Sequence, residues 1–228
     1  AGARPSEWLR QEKGFAGRFS KTVVPVIFNE GLWGVGTTMY SVFYGRMGDA
    51  AVAAMGVCTT INDLVWVAIF ALMNATAIIV GKALGAGDRE RAYLYAKRMM
   101  AGAVGLLVIA VRWPLVNIFS GLSYPVREKA QFILMLGALT IWFRAFNTIN
   151  IVGVLRSGGD TLFSLCLDVG TLWLVGVTST GLAALVFHWP LEWVYACTFL
   201  EEAVKMAVGI PHFKKRQWMN VLTEQPQG

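Results

Sequence analysis

Apolar residues in this sequence gather in long runs broken by short polar punctuation; they do not alternate with polar ones. A run of about 20 apolar residues is what an α-helix needs to cross a bilayer. Six such runs predict transmembrane helices at 22–44, 50–80, 99–119, 129–154, 161–187 and 191–210. The second is longer than a straight crossing requires, so it is predicted to tilt or to extend past the membrane. Only HWP separates the fifth from the sixth, which predicts a tight turn at Pro190. The predicted fold is an all-α membrane protein, a six-helix bundle over 22–210. A charged segment, 1–21, precedes it and a basic tail, 211–228, follows.

Composition supports this class. Hydrophobic residues make up 56% of the chain and charged residues 15%, against about 25% charged in a soluble domain. The net charge of +6 does not indicate nucleic acid, because the basic residues sit at the edges of apolar runs. They also give an orientation. With the N-terminus inside, the cytoplasmic segments hold Arg4, Arg10, Lys13, Arg18 and Lys21, then Lys82, Arg89, Arg91, Lys97 and Arg98, then Arg156, then Lys214, Lys215 and Arg216. The opposite face holds only Arg46, Arg127 and Lys129. Both termini are therefore predicted in the cytoplasm. Arg112 is read as snorkelling to the outer headgroups.

Little points to catalysis. Cys58, Cys166 and Cys197 each lie within an apolar run and read as small buried hydrophobes. His188 and His212 are isolated near predicted helix ends. No metal ligand set and no nucleophile–base pair is legible, so neither a metal, nor a cofactor, nor an enzyme is expected. The stretch GKALGAGDRERAYLYAKR reads as a basic membrane-surface helix after Asp88. It is not a phosphate loop, because Lys82 leads into Ala83 and not into Ser or Thr.

The polar residues inside the runs carry the functional signal. A charge at the bilayer centre costs about 2.5–3.5 kcal/mol on insertion scales, so retained charges need partners, water or a task. Glu30 lies in the first run and continues at helical spacing into Trp33, Thr37, Tyr40, Ser41 and Tyr44. Asn29 adjoins it. The second run carries Thr59, Asn62, Asp63, Trp66 and Asn74. The fourth carries Thr140, Arg144, Asn147 and Thr148, the fifth Asp168, and the sixth Glu201, Glu202 and Lys205. Glu30, Arg144, Asp168 and Glu201 fall at similar depths, roughly 12 Å from the inner ends of their helices. Glu201 and Lys205 form an i,i+4 pair, and Arg144 can neutralise Glu30 or Asp168. That leaves an acid for ion or proton coupling, with Glu30, Asp168 and Asp63 as the candidates. Asn29, Trp33, Thr37, Tyr40, Asn62, Trp66, Arg144 and Asn147 are expected to line a cavity.

At these residues a family becomes recognisable. KTVVPVIFNEGLWGVGTTMYSVFYGRMGDAAVAAM resembles the seventh helix and following loop of multidrug and toxic compound extrusion (MATE) transporters. GKALGAGDRERAYLYAKR is similar to their loop between the eighth and ninth helices, and VLRSGGDTLFSLCLDVGTLWLVGV to the link from the tenth to the eleventh. EEAVKMAVGIPHFKKRQWMNVLT is similar to their last helix and tail. The resemblance implies the C-terminal six-helix lobe of a two-lobed, twelve-helix fold, with 1–21 as the interlobe linker. It also implies a secondary active antiporter of the inner (plasma) membrane. Such a protein exports cationic or amphipathic organic compounds in exchange for protons or sodium ions, by alternating access. Glu30 matches the acid of the first C-lobe helix, tied to cation coupling in the NorM-like branch. That branch also carries an aspartate on the tenth helix, where QFILMLGALTIWFRAFNTIN has Arg144 and no acid. The pattern is closer to the DinF-like branch, and both coupling ions stay open. The expected partners are the lipid bilayer, a small organic cation or amphipath, and a missing N-terminal lobe or a second copy. The absent initiator Met and the length favour a fragment. A lipid or lipid-linked oligosaccharide flippase and a non-transporting scaffold subunit are the alternative readings.

Overall fold

A computed structural model describes residues 15–110 and 124–220. Expectations for 1–14, 111–123 and 221–228, Arg112 among them, lie outside the described residues. Within them all regular structure is helical. Helix α1 runs over Phe15–Arg46, α2 over Asp49–Gly85 and α3 over Arg89–Ala110. Helix α4 covers Tyr124–Thr148 and continues in π-helical geometry over Ile149–Arg156. Helix α5 begins at Thr161–Thr171, passes through a π-helical stretch at Leu172–Val177 and an α-helical turn at Thr178–Gly181, and ends in a second π-helical stretch at Leu182–Val186. Helix α6 covers Leu191–Lys214 and starts directly after Pro190.

Val65–Gly85, Lys129–Arg156 and Thr161–Val186 are each long and apolar enough to cross a membrane. The distribution of burial agrees with a lipid environment. Leu174, Val67, Ile27, Leu162 and Leu139 point outward, while Asn29, Asp168, Glu201, Glu202 and Lys205 are buried. A water-soluble bundle would show the opposite arrangement. The chain is a multi-pass membrane protein.

The turn joining α2 to α3 shows how the local sequence sets the topology. Gly87 adopts φ 75°, a region open to glycine without a steric penalty. This lets the Gly87 and Asp88 amides donate back to the carbonyls of Leu84 and Ala83, closing the end of α2. The Asp88 carboxylate then accepts from the Arg91 amide at 3.0 Å and caps α3. The basic stretch read as a membrane-surface helix is instead the first turns of α3. Ala92, Ala96 and Met100 recur every fourth residue and are buried, so this face packs inward from the start and nothing separates a surface helix from the rest.

Helix α1 packs on α5, α2 on α3 and α4, and α4 on α6. Two large apolar clusters form between these helices. One includes Phe43, Tyr44, Cys58, Ile133, Leu172, Val194 and Tyr195, at the end of the bundle holding the α1–α2 and α5–α6 turns. The other includes Val80, Leu84, Ile149, Leu155, Leu167, Phe213 and Trp218, at the opposite end. The predicted basic tail contributes to the second. Residues 211–214 still belong to α6, and the chain then folds back so that Trp218 is fully buried. Its indole N–H donates to the Phe213 carbonyl at 3.2 Å, and the Asn220 amide donates to the Gly158 carbonyl at 3.0 Å. Gly158 has no room for a Cβ, because Trp218 occupies that space. Of the three cysteines, Cys58 and Cys197 are buried as expected, but Cys166 is exposed. It lies on the outward face of α5, one position before Leu167, which turns inward.

Candidate functional site

Between the two apolar clusters lies a layer of charged and amide side chains contributed by α1, α4, α5 and α6. Lys205 of α6 is at its centre. The ammonium lies 2.9 Å from Asp168 Oδ1 and 3.2 Å from Glu201 Oε1. Both carboxylates have a further partner on α1. Asn29 Nδ2 donates to Asp168 Oδ2 at 3.0 Å, and the Tyr40 hydroxyl donates to Glu201 Oε2 at 2.6 Å. Arg156 extends the layer outward, with Nη2 3.7 Å from Asp168 Oδ2 and Nη1 2.6 Å from Glu30 Oε1. The Lys205 side chain is only 5% exposed, whereas that of Glu30 is 58% exposed. Glu30 is thus the accessible margin of a network whose centre is closed.

Close backbone approach makes this geometry possible. At Gly176, in the first π-helical stretch of α5, an added Cβ would collide with the Glu201 carboxylate and the Tyr40 hydroxyl. Glycine at that position leaves space for the Tyr40–Glu201 hydrogen bond to cross the face of α5. Gly36 of α1 similarly faces Leu172 of α5, 2.6 Å from where its Cβ would stand. Small residues at a helix contact let two backbones approach, which brings Asn29 and Tyr40 within reach of α5 and α6.

A second group lies on another side of α6. Successive residues on a helix point about 100° apart, so the Glu202 carboxylate makes its hydrogen bonds on a different side of α6 from that of Glu201. Asn147 Nδ2 of α4 donates both to Glu202 Oε2 at 2.9 Å and to the Glu202 carbonyl at 2.8 Å. Arg144 Nε lies 3.7 Å from Glu202 Oε1, its Nη2 donates to Thr198 Oγ1 at 3.1 Å, and its guanidinium covers the Phe199 ring at 4.9 Å. In these two groups the carboxylates of Glu30, Asp168, Glu201 and Glu202 face the cations of Arg144, Arg156 and Lys205. Acid exceeds base by one charge.

The sequence-predicted residues fall into distinct places. Asp168, Asn29 and Tyr40 join the central network, and the Glu201–Lys205 pair forms as expected. Arg144 does not neutralise Glu30 or Asp168; its carboxylate is Glu202, and Asn147 shares it. Glu30 is paired instead by Arg156, which the sequence reading assigns to a cytoplasmic segment beyond the fourth span. The π-helical stretch carries α4 past that predicted end, so Arg156 remains on the helix and turns toward α1. The stripe predicted on α1 is rotated. Asn29, Gly36, Phe43 and Tyr44 are buried, while Trp33 and Ser41 are exposed and Thr37 is half-buried, donating to the Trp33 carbonyl. On α2, Thr59, Asp63 and Asn74 are exposed and Asn62 is half-buried, while Trp66 packs against the small Ile69–Ile141–Ala145 cluster. The structure does not bring Asp63 into the charged layer. His212 is not isolated: its Nε2 lies 2.6 Å from Asp160 Oδ2, and its ring stacks on Phe163.

Three residues central to the site were undervalued by sequence reasoning: Lys205, Arg156 and Glu202. Their signal was present in the adjacent acids Glu201 and Glu202, because two neighbouring charges inside one apolar run require partners on two sides of the helix. Among the described residues no group of three or more His, Cys, Asp or Glu could hold a metal ion.

A multi-pass helical bundle with a closed, charged interior is the class these features define. The profile of the MatE family matches residues 25–178, and the chain belongs to that family, whose members are transporters and not enzymes. Among solved structures, the fold is similar to a MOP superfamily transporter from Pyrococcus furiosus, described as having a binding pocket of reversed polarity that suggests a different function. It is equally similar to a multidrug resistance MATE family transporter of the same superfamily in an outward-facing conformation. Both comparisons have a TM-score of 0.76 at 16% identity and cover 91% of this chain. The chain spans 47% of each of those proteins, about half their length. No curated protein matches the sequence significantly.

Proposed function

We propose that the chain forms one lobe of a secondary active antiporter that exports cationic or amphipathic organic compounds in exchange for protons or sodium ions. The lobe is the six-span unit 22–210, with both ends in the cytoplasm. A second lobe, or a second copy, supplies the opposite wall and rocks against it. The observation that carries this reading is the excess acid in a membrane-embedded network with one accessible margin. Four carboxylates facing three cations bind one further positive charge favourably, and a charge that enters and leaves is what coupling requires. Glu30 and Asp168 are the coupling residues, joined through Arg156. Polar side chains left uncovered on α2, including Asp63 and Asn74, would be costly against lipid and, with the exposed Trp33 of α1, suit a cavity wall.

The test is gradient-driven efflux of a cationic dye from proteoliposomes holding this chain assembled with its second lobe, with a proton or a sodium gradient imposed. Glu30→Gln is expected to abolish ion-driven efflux while leaving the protein inserted and folded. Efflux by that variant equal to the unsubstituted protein would refute the assignment of Glu30. Failure of any gradient to drive efflux would refute antiport, and acceleration of fluorescent lipid scrambling in the same vesicles would point to a flippase.

A further inference from the structure

The central network has the chemistry of a cation site that is already filled. Asp168 of α5 and Glu201 of α6 direct one oxygen each at a single compact positive centre, at 2.9 and 3.2 Å. Their remaining oxygens are held in place by Asn29 and Tyr40. Asn29 is itself 2% exposed, and its Oδ1 has no hydrogen-bond partner, so a further unused oxygen belongs to the same buried amide. Two carboxylate oxygens from two helices converging on one buried point, with the buried Asn29 amide of a third helix on the same carboxylate pair, suit a hard cation bound by oxygen ligands. Here the positive centre is the Lys205 ammonium, a point charge on a flexible stem. The site is closed around it, and the Lys205 side chain is 5% exposed.

We propose that Lys205 is a tethered cation: its ammonium occupies an internal alkali-cation site formed by Asp168 and Glu201 and thereby excludes sodium from the core of this lobe. The consequence deepens the transport reading by choosing between its two ions. The place a sodium ion would need is taken by Nζ, whereas a proton on the surplus carboxylate requires no new coordination space. Removing the ammonium leaves two buried carboxylates facing an emptied position, which a sodium ion from solution can neutralise. A guanidinium at this position would keep the charge and so keep the site closed.

The test uses the full chain purified in detergent, with sodium chloride exchanged for choline chloride at constant ionic strength. Binding of radiolabelled sodium and thermal unfolding are both measured. The unsubstituted protein is expected to show no saturable sodium binding and an unchanged melting temperature. Lys205→Met is expected to bind sodium saturably and to gain about 2–4 °C in sodium. Adding Asp168→Asn should remove both effects. Lys205→Gln, which retains a hydrogen-bonding group for one carboxylate, carries the test by itself if Lys205→Met does not fold. Saturable binding by the unsubstituted protein overturns the proposal, as does the absence of binding in the variants. The readout needs no turnover, so it separates the two readings. Sodium binding by Lys205→Met without any efflux by the two-lobed assembly refutes antiport alone, and efflux without such binding refutes the tethered cation alone.

Discussion

Gly176→Ala perturbs the network by one methyl group without changing any charge. The new Cβ would overlap the Glu201 carboxylate and the Tyr40 hydroxyl, and neither can yield without breaking the 2.6 Å bond between them. Loss of a hydrogen bond to a charged group costs about 1.5–3 kcal/mol, and forcing a methyl into a packed interior costs about 1–3 kcal/mol. Against these stands a gain of about 1 kcal/mol in helix propensity. A net loss of about 1.5–5 kcal/mol is expected, which lowers the melting temperature by roughly 3–20 °C at this chain length. The assay is thermal unfolding of the purified protein in detergent. Gly170→Ala, on the same helix, is the control. Nothing lies within 4 Å of its added Cβ, so it should be neutral or slightly stabilising. Tyr40→Phe should reduce the cost of Gly176→Ala, because one of the two colliding atoms is then absent. Equal melting temperatures for the two alanine variants would refute the claim that glycine at 176 makes room for the Tyr40–Glu201 contact.

Other expectations follow from the two ends of the bundle. Trp218→Ala empties a fully buried site against Gly158 and Phe213 and should cost about 3–5 kcal/mol. Limited proteolysis should then cut the tail after α6, and an unchanged cleavage pattern would count against the fold-back. Asp88→Ala removes the cap of α3 and should cost about 1 kcal/mol. The loss should appear as faster amide exchange over residues 89–92, and unaltered exchange there would show that the cap contributes nothing.

Most of the helical architecture was legible because a membrane span is encoded by composition over a long window. The turn at Pro190 and the breaks after Tyr44 and before Thr161 needed only local punctuation. Partner choice was not legible, for a physical reason. Depth along a helix follows from rise per residue, so the grouping of Glu30, Asp168 and Glu201 could be anticipated. Azimuth depends on every turn having 3.6 residues. Helix α4 unwinds to π geometry at Ile149–Arg156 and α5 does so twice, so a regular projection misplaces every side chain beyond those points. Arg156 reads as a loop residue because the predicted span stops at residue 154, two positions short of the helix end. Arg144, in the regular part of α4, meets Glu202 because of how α4 is rotated against α6, which its own sequence does not encode. Helix α1 was also misread in rotation, because Glu30 dominates the pattern while its neighbour Asn29 is the residue that turns inward.

The two apolar clusters have a consequence for traffic. They stand above and below the charged layer, so among the described residues apolar side chains lie between each end of the bundle and Asp168. The layer opens at its side, where the Glu30 side chain is 58% exposed and Arg156 bridges it to Asp168. Among the described residues the Glu30–Arg156 pair is thus a lateral doorway to the buried carboxylates.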